Sequence, residues 1–230
     1  MAVFPYFPIP IYMYDSYEII DDYNNIQEEL EEVCKKIEWE KMKNRPETSH
    51  SISPTAFSNN ILIQYKCAKF IKFLDNNVKS YLAAFKNDYH KIPTEYLIDS
   101  CWLTKTTKGE HALQHSHGPS DISGVYYIKT NGHDGSLFFQ NPHGDKVGNV
   151  IMDLCCAMTE SEMPLKQGFL MMWPGHMTHG TAINTTDDVR ISLSFNIVFA
   201  RRGFALKDNV DNSERAYPVR DNGWKDIQCY

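Results

Sequence analysis

Apolar positions along the chain fall into two regimes. Between residues 23 and 43, Ile26, Leu30, Val33 and Ile37 recur at three- and four-residue intervals, the period of a helix with one buried face. Glu28, Glu29, Glu31 and Glu32 crowd its first half and Lys35, Lys36, Lys41 and Lys43 its second, an order that complements the helix dipole. A polar stretch from Asn44 to Ser58 predicts a loop. A second long helix is expected over residues 60–86, with Ile63, Cys67, Phe70, Ile71, Leu74, Val78 and Leu82 as its buried stripe. Ahead of both helices, residues 1–22 alternate aromatics and prolines (Phe4, Tyr6, Phe7, Ile9, Ile11, Tyr12), a pattern suited to an extended segment that adds an edge strand to a sheet.

From about Leu97 the pattern shortens to strand-like runs punctuated by turn signals. The expected strands are Leu97–Thr104, His111–His117, Ile122–Lys129, Ser136–Gln140, Gly168–Trp173, Gly180–Asn184 and Arg190–Ala200. Turns are marked by Lys108-Gly, His117-Gly-Pro, Asn131-Gly, Asn141-Pro, Pro174-Gly and Asp187-Asp. Many short strands after two helices predict a mostly β fold with flanking helices, its core a jelly-roll double sheet. One domain of 230 residues suffices: an N-terminal segment with two supporting helices (1–96), the β core (97–206) and a polar tail (207–230).

Composition narrows the function classes. With 23 basic and 29 acidic residues the net charge is −6, and no basic stripe is present to neutralise phosphates, so no nucleic-acid partner is expected. No run approaches the roughly 20 apolar residues of a membrane span, and the opening segment lacks the basic residues of a signal peptide. The six cysteines (34, 67, 101, 155, 156 and 229) show no CxxC spacing and read as reduced, mostly buried thiols of a cytoplasmic protein.

The chemistry concentrates in the β region. His115 and His117 are two residues apart, so on an extended strand their imidazoles point to the same side. His179 follows a Pro-Gly turn and can complete a facial metal site; His176, inside that turn, is placed at the entrance instead. Asp121 competes with His117 as a ligand, if the chain beyond the turn folds back. Alternation sets Arg190, Ser192, Ser194 and Asn196 on one face of the last strand, opposite Ile191, Leu193, Phe195 and Ile197. A guanidinium on such a face suits a carboxylate held by two parallel hydrogen bonds, with Ser192 adding a third. On the strand from Ile122, Ser123 and Tyr127 share a face on which their hydroxyls can orient a carboxylate or carbonyl beside the metal, whereas Tyr126 points to a core.

These residues resemble the 2-oxoglutarate- and iron(II)-dependent oxygenase superfamily, whose core is a double-stranded β-helix of the jelly-roll, cupin-like type. His115, His179, Arg190 and Ser192 match that family's order of a proximal histidine, a distal histidine and an Arg-x-Ser for the distal carboxylate of 2-oxoglutarate. The run His115-Ser-His117, Ser123-Gly-Val-Tyr-Tyr127, Phe139-Gln-Asn-Pro142, His179 and Arg190-Ile-Ser-Leu-Ser-Phe-Asn196 is similar to a group of bacterial or phage-borne oxygenases, over about residues 98–200. The resemblance implies iron(II) and 2-oxoglutarate as cofactors, dioxygen as co-substrate, a role for Tyr127 in the 2-oxoglutarate pocket, and hydroxylation of an unidentified protein, peptide or small molecule. It departs from the family at His117, which stands where the relatives carry a carboxylate. A three-histidine dioxygenase of the cupin type that does without 2-oxoglutarate, and a non-enzymatic binding protein on the same barrel, are the rival readings.

Overall fold

A computed structural model of the chain describes residues 9–18, 20–43, 45–54, 60–85, 96–141, 160–199 and 217–219. In chain order the elements are β1 (Tyr12–Asp15), α1 (Ile20–Lys36), β2 (Glu40–Lys41), β3 (Ser51–Ile52), α2 (Ile61–Gln64), α3 (Ala68–Ala83), β4 (Tyr96–Thr106), β5 (Ile122–Lys129), β6 (Leu137–Gln140), β7 (Glu160–Glu162), β8 (Phe169–Pro174), β9 (His179–Thr181), β10 (Arg190–Phe199) and β11 (Tyr217–Val219). The larger sheet runs β1-β8-β5-β10-β4-β3-β2, with β11 also paired to β4, and the smaller runs β7-β6-β9. All strand pairs are antiparallel. This is the jelly-roll core with flanking helices that the pattern predicted.

Alternation divides the side chains of the large sheet between two cores. Ile122, Tyr126 and Ile128 of β5, Leu170 and Met172 of β8, and Leu193, Phe195 and Ile197 of β10 face the helices, where Leu30 of α1 and Phe70, Leu74 and Val78 of α3 cover them. Val125, Tyr127, Met171 and Trp173 face inward against Leu137 and Phe139 of the small sheet. Tyr126 joins the helix-facing core as expected, with Phe70 and Phe73 edge-on to its ring. Gly124 lets β5 lie close to β10, because a Cβ there would stand 2.3 Å from the Phe195 ring.

The helices are tied to this face by polar contacts as well. Gln27 donates to the Ile128 carbonyl at 2.6 Å, pinning α1 to the end of β5. The first residue before α3, Cys67, supplies no side-chain cap. Glu29 of α1 takes its place, accepting the Lys69 and Phe70 N–H groups at 3.1 and 2.8 Å.

Several boundaries differ from the pattern reading. Helix α1 stops at Lys36, because Ile37 and Trp39 reach the same core by two-residue spacing, as extended chain does, and Glu40–Lys41 then pairs with β3. β3 itself lies in the stretch expected to be a loop. The second helix is broken: Lys66 adopts φ 55°, and the Cys67 and Lys66 N–H groups bond back to Leu62 and Ile63, the paired bonds of a left-handed helix end. No continuous strand spans His111–His117. Its backbone partners lie on three segments, Thr48–His50, Gly175 and His179–Thr181, so only isolated bridges form at His111 and His115. β9 begins at His179 and ends at Thr181, beyond which the backbone bonds pass to Ser136 and Glu110.

β1 is the expected edge strand, while β7 and β11 were not anticipated; β11 falls within the polar tail. The remainder of that tail, Phe4, Tyr6 and Phe7, Pro142, Ala200 and the cysteines 155, 156 and 229 lie outside the described residues. Cys34, Cys67 and Cys101 are free thiols; burial pushes the first two up to about 12. No helix among the described residues is long and apolar enough to cross a membrane.

Candidate metal centre

Three imidazoles meet at the mouth of the space between the sheets. His179, first residue of β9, and His115 exchange both backbone hydrogen bonds at 2.9 Å, which sets their rings side by side. His117 is fixed separately, its N–H bonded to the Gly175 carbonyl at 2.8 Å. Ring centroids lie 4.9 Å apart for His115–His117, 4.5 Å for His115–His179 and 5.2 Å for His117–His179. One ligand atom from each falls within 4.8 Å of the others, the only such trio found among the described residues.

Each ring is also oriented from behind. Nδ1 of His115 bonds the Leu113 carbonyl at 2.6 Å, Nδ1 of His179 the Met177 carbonyl at 2.8 Å, and Nδ1 of His117 the Asn196 side-chain oxygen at 2.7 Å. An oxygen acceptor requires Nδ1 to carry the proton, so all three Nε2 atoms present lone pairs, as metal-bound histidines do. Nε2 of His117 is buried without a partner among the described residues, an orphaned acceptor that a cation would satisfy. Burial holds all three rings below the ordinary imidazole range, with His117 pushed down to about 4 and His179 to about 3, which keeps them neutral. A neutral trio of imidazoles suits iron, zinc, copper or nickel.

The other expected residues fall as follows. Asp121 accepts the Phe199 N–H at 2.8 Å, and its carboxylate is not part of the converging cluster. His176 is exposed. Arg190, Ser192, Ser123 and Tyr127 line the same inner cavity as the three histidines. Ser192 pairs its hydroxyl with Thr104 at 2.6 Å, and Ser123 donates to Asn196 at 2.9 Å.

Arg190 is 3% exposed and no carboxylate pairs with it among the described residues. Its Nη1 donates to the carbonyls of Asp134 (3.1 Å) and Gly135, and its Nη2 to the hydroxyls of Thr106 (3.2 Å) and Thr181 (3.1 Å). Gly135 holds φ at 99°, and a Cβ there would stand 2.3 Å from the Ala182 carbonyl oxygen. Four of five guanidinium N–H groups are thus taken by neutral acceptors, and Nε is orphaned. The two parallel bonds expected to a carboxylate therefore require Thr106 or Thr181 to yield its place. Burial pushes the Arg190 pKa down, opposed only in part by Tyr127 and Asp134, and an anion beside it would relieve that cost.

Four residues at the site were not expected from the sequence. Asn196 was placed on the polar face of β10 but not as the partner of His117. Thr106 belongs to a two-residue row on β4, Ser100-Trp102-Thr104-Thr106, that carries the same inward alternation. Thr181 follows His179 by two residues. His50 lines the cavity, and burial pushes it down to about 4; nothing local in its polar segment marks it.

The family profile described as "Putative 2OG-Fe(II) oxygenase" matches residues 100–196, the segment that holds every residue named above except His50 and Phe199. No curated protein matches the sequence. Solved structures of the same fold include the non-heme alpha ketoglutarate dependent epimerase SnoN from nogalamycin biosynthesis, at 12% identity and a TM-score of 0.57 over 93% of this chain and 89% of that one. The carbocyclase SnoK of the same biosynthesis is similar at 9% identity and 0.57, over 93% and 90%. HygX from Streptomyces hygroscopicus, solved with nickel and 2-oxoglutarate bound, is similar at 11% identity and 0.56, over 84% of each chain. Residues 100–196 thus carry the sequence pattern of the 2-oxoglutarate- and iron(II)-dependent oxygenase profile, and the chain shares the fold of solved enzymes of that kind.

Proposed function

We propose that the protein hydroxylates a C–H bond of a small molecule, peptide or protein side chain, with iron(II) on His115, His117 and His179 and 2-oxoglutarate anchored by Arg190. The observation that carries this is the joint placement, around one inner cavity, of three converging Nε2 lone pairs and a buried guanidinium with no carboxylate partner among the described residues. When bound, iron and 2-oxoglutarate supply the oxidising power: 2-oxoglutarate, dioxygen and R–H give succinate, carbon dioxide and R–OH.

The chain's own residues hold and orient. Three neutral imidazoles ligate without charge, so the dianionic co-substrate is the main source of negative charge at the metal. Arg190 neutralises its distal carboxylate, with Ser192 and Tyr127 as hydroxyl neighbours and Ser123 steadying Asn196 behind His117. The Tyr127 hydroxyl makes no hydrogen bond to another described residue and is kept protonated by burial, its pKa pushed up to about 12, so it is available as a donor. Trp173 and Leu137 wall the cavity and exclude water, with Phe139 packed edge-on behind Trp173 and Trp173 edge-on to His179 at 4.9 Å.

One fold supports several outcomes of this chemistry, as SnoN, named as an epimerase, and SnoK, named as a carbocyclase, illustrate. The reading is tested by following succinate in air with iron(II) and 2-oxoglutarate. Succinate that depends on iron and disappears in His179→Ala supports it. Metal-loaded, folded protein that never forms succinate, alone or with candidate substrates, counts against it.

A further inference from the structure

The histidine cluster also faces outward, into a second cavity that shares His50, Trp102, His115 and His117 with the inner one. We infer that this outer cavity is the substrate site and that it takes a zwitterionic small molecule with an apolar body, of the class of apolar amino acids and short apolar peptides with free ends. The inference rests on the oxygenase reading for the location of the reaction, and on the lining of the outer cavity for the class of substrate.

The floor is apolar. Trp102 and Ile52 are buried and form a cluster of their own with Met42, apart from both main cores. Trp102 stacks on His117, with ring centroids 5.7 Å apart and planes 12° from parallel. A body lying against Trp102 is therefore held beside a metal-facing imidazole. His50 stands at the neck between the two cavities, and as a neutral ring it adds polarity there without charge.

The two charges on the lining have opposite sign. On β4 the pairing passes from Asn196–Ser100 to Ile197–Ile98, which leaves Asp99 as the extra residue of a bulge. Bulges re-aim side chains, and Asp99 is the one exposed residue of β4, turned onto the outer cavity. Arg45 lies on the same cavity, near enough for its charge to disfavour protonation of His115.

Among the described residues no ion pair joins Arg45 to Asp99, and neither side chain is hydrogen-bonded to another described residue. The cavity thus offers separate positive and negative poles over an apolar floor. A simple anion would be repelled by Asp99 and a simple cation by Arg45; a molecule with a carboxylate at one end and an ammonium at the other satisfies both.

The test is calorimetric binding to protein loaded with nickel(II) and 2-oxoglutarate, which needs no turnover. The probes are L-leucine, L-phenylalanine and leucyl-leucine, each with its N-acetyl and carboxamide derivatives. The expected result is that at least one free-ended probe binds, that blocking either end weakens it about tenfold or more, and that Arg45→Gln removes the preference for acid over amide while Asp99→Asn removes the preference for free over acetylated amine. Equal binding of blocked and free probes, unchanged preferences in both variants, or no binding by any probe overturns the inference. Failure of the oxygenase reading would show separately, as absence of succinate with iron(II) in air.

Discussion

Nδ1 of His117 donates to the side-chain oxygen of Asn196 at 2.7 Å, and the same oxygen accepts the Ser123 hydroxyl at 2.9 Å. Asn196 in turn donates its amide to Ser100 at 2.9 Å. His117 is therefore held from behind by a neutral side chain that is itself bonded to Ser123 and Ser100. Its lone pair is aimed at the shared point by a contact 79 residues away in sequence.

Asn196→Ala should weaken metal binding by roughly 10- to 100-fold, the usual cost of removing a residue that orients a ligand. Titration with cobalt(II) or nickel(II) measures it, and Asn196→Asp, which keeps an acceptor, should recover most of the loss. A variant that binds metal as tightly as the parent would show that His117 is not a ligand.

Arg190→Met should leave metal binding nearly intact while raising the 2-oxoglutarate concentration needed for half-maximal succinate formation. Removing one partner of a buried charge pair costs about 2–5 kcal/mol, roughly 30- to several thousand-fold. Thr181→Val, which frees an Nη2 hydrogen from an internal acceptor, should have a far smaller effect on 2-oxoglutarate. Metal loss in Arg190→Met would instead mean that the guanidinium supports the histidine cluster.

The polar row of β10 was legible because period-two alternation is local: Arg190, Ser192, Ser194 and Asn196 announce a face without any knowledge of their partners. The convergence of His115 and His117 was legible for the same reason, even though the segment they occupy is held by isolated bridges and not by a strand ladder. Contacts between distant strands were not legible. Thr106 and Thr181 reach Arg190 only once β4, β9 and β10 are assembled, and Glu29 reaches the start of α3 only once the helices pack. The break at Lys66 carries no glycine or proline, so nothing in the sequence punctuates it.

Acid should destabilise the metal-free protein. His50 and His117 are depressed to about 4 and His179 to about 3, mainly by burial, against 6.5 for a free imidazole. Below about pH 6.5 the unfolded chain takes up protons that the folded chain refuses, so stability is full above that value and falls on acidification through the window down to about pH 4. Urea unfolding of chelator-treated protein between pH 7.5 and about 4.5 measures the slope. His50→Gln should reduce it, and a flat profile would contradict the assignment of these rings as buried and neutral.

Glu29→Ala should cost about 0.5–2 kcal/mol, since it strips two N–H groups of α3 of their acceptor where Cys67 offers none. Thermal unfolding should show a drop of a few degrees with the fold unchanged. Succinate formation by the folded variant should be unaltered, because the helix end lies on the far side of the sheet from the histidines.

The central claim is that the three histidines and Arg190 hold iron(II) and 2-oxoglutarate together, and optical titration without oxygen tests it most directly. Adding 2-oxoglutarate to the anaerobic iron(II)-loaded protein should produce a metal-to-ligand charge-transfer band in the visible, absent in His179→Ala and requiring much more 2-oxoglutarate in Arg190→Met. Tight iron(II) binding with no such band at saturating 2-oxoglutarate would contradict the account and point to a three-histidine dioxygenase that does not use this co-substrate.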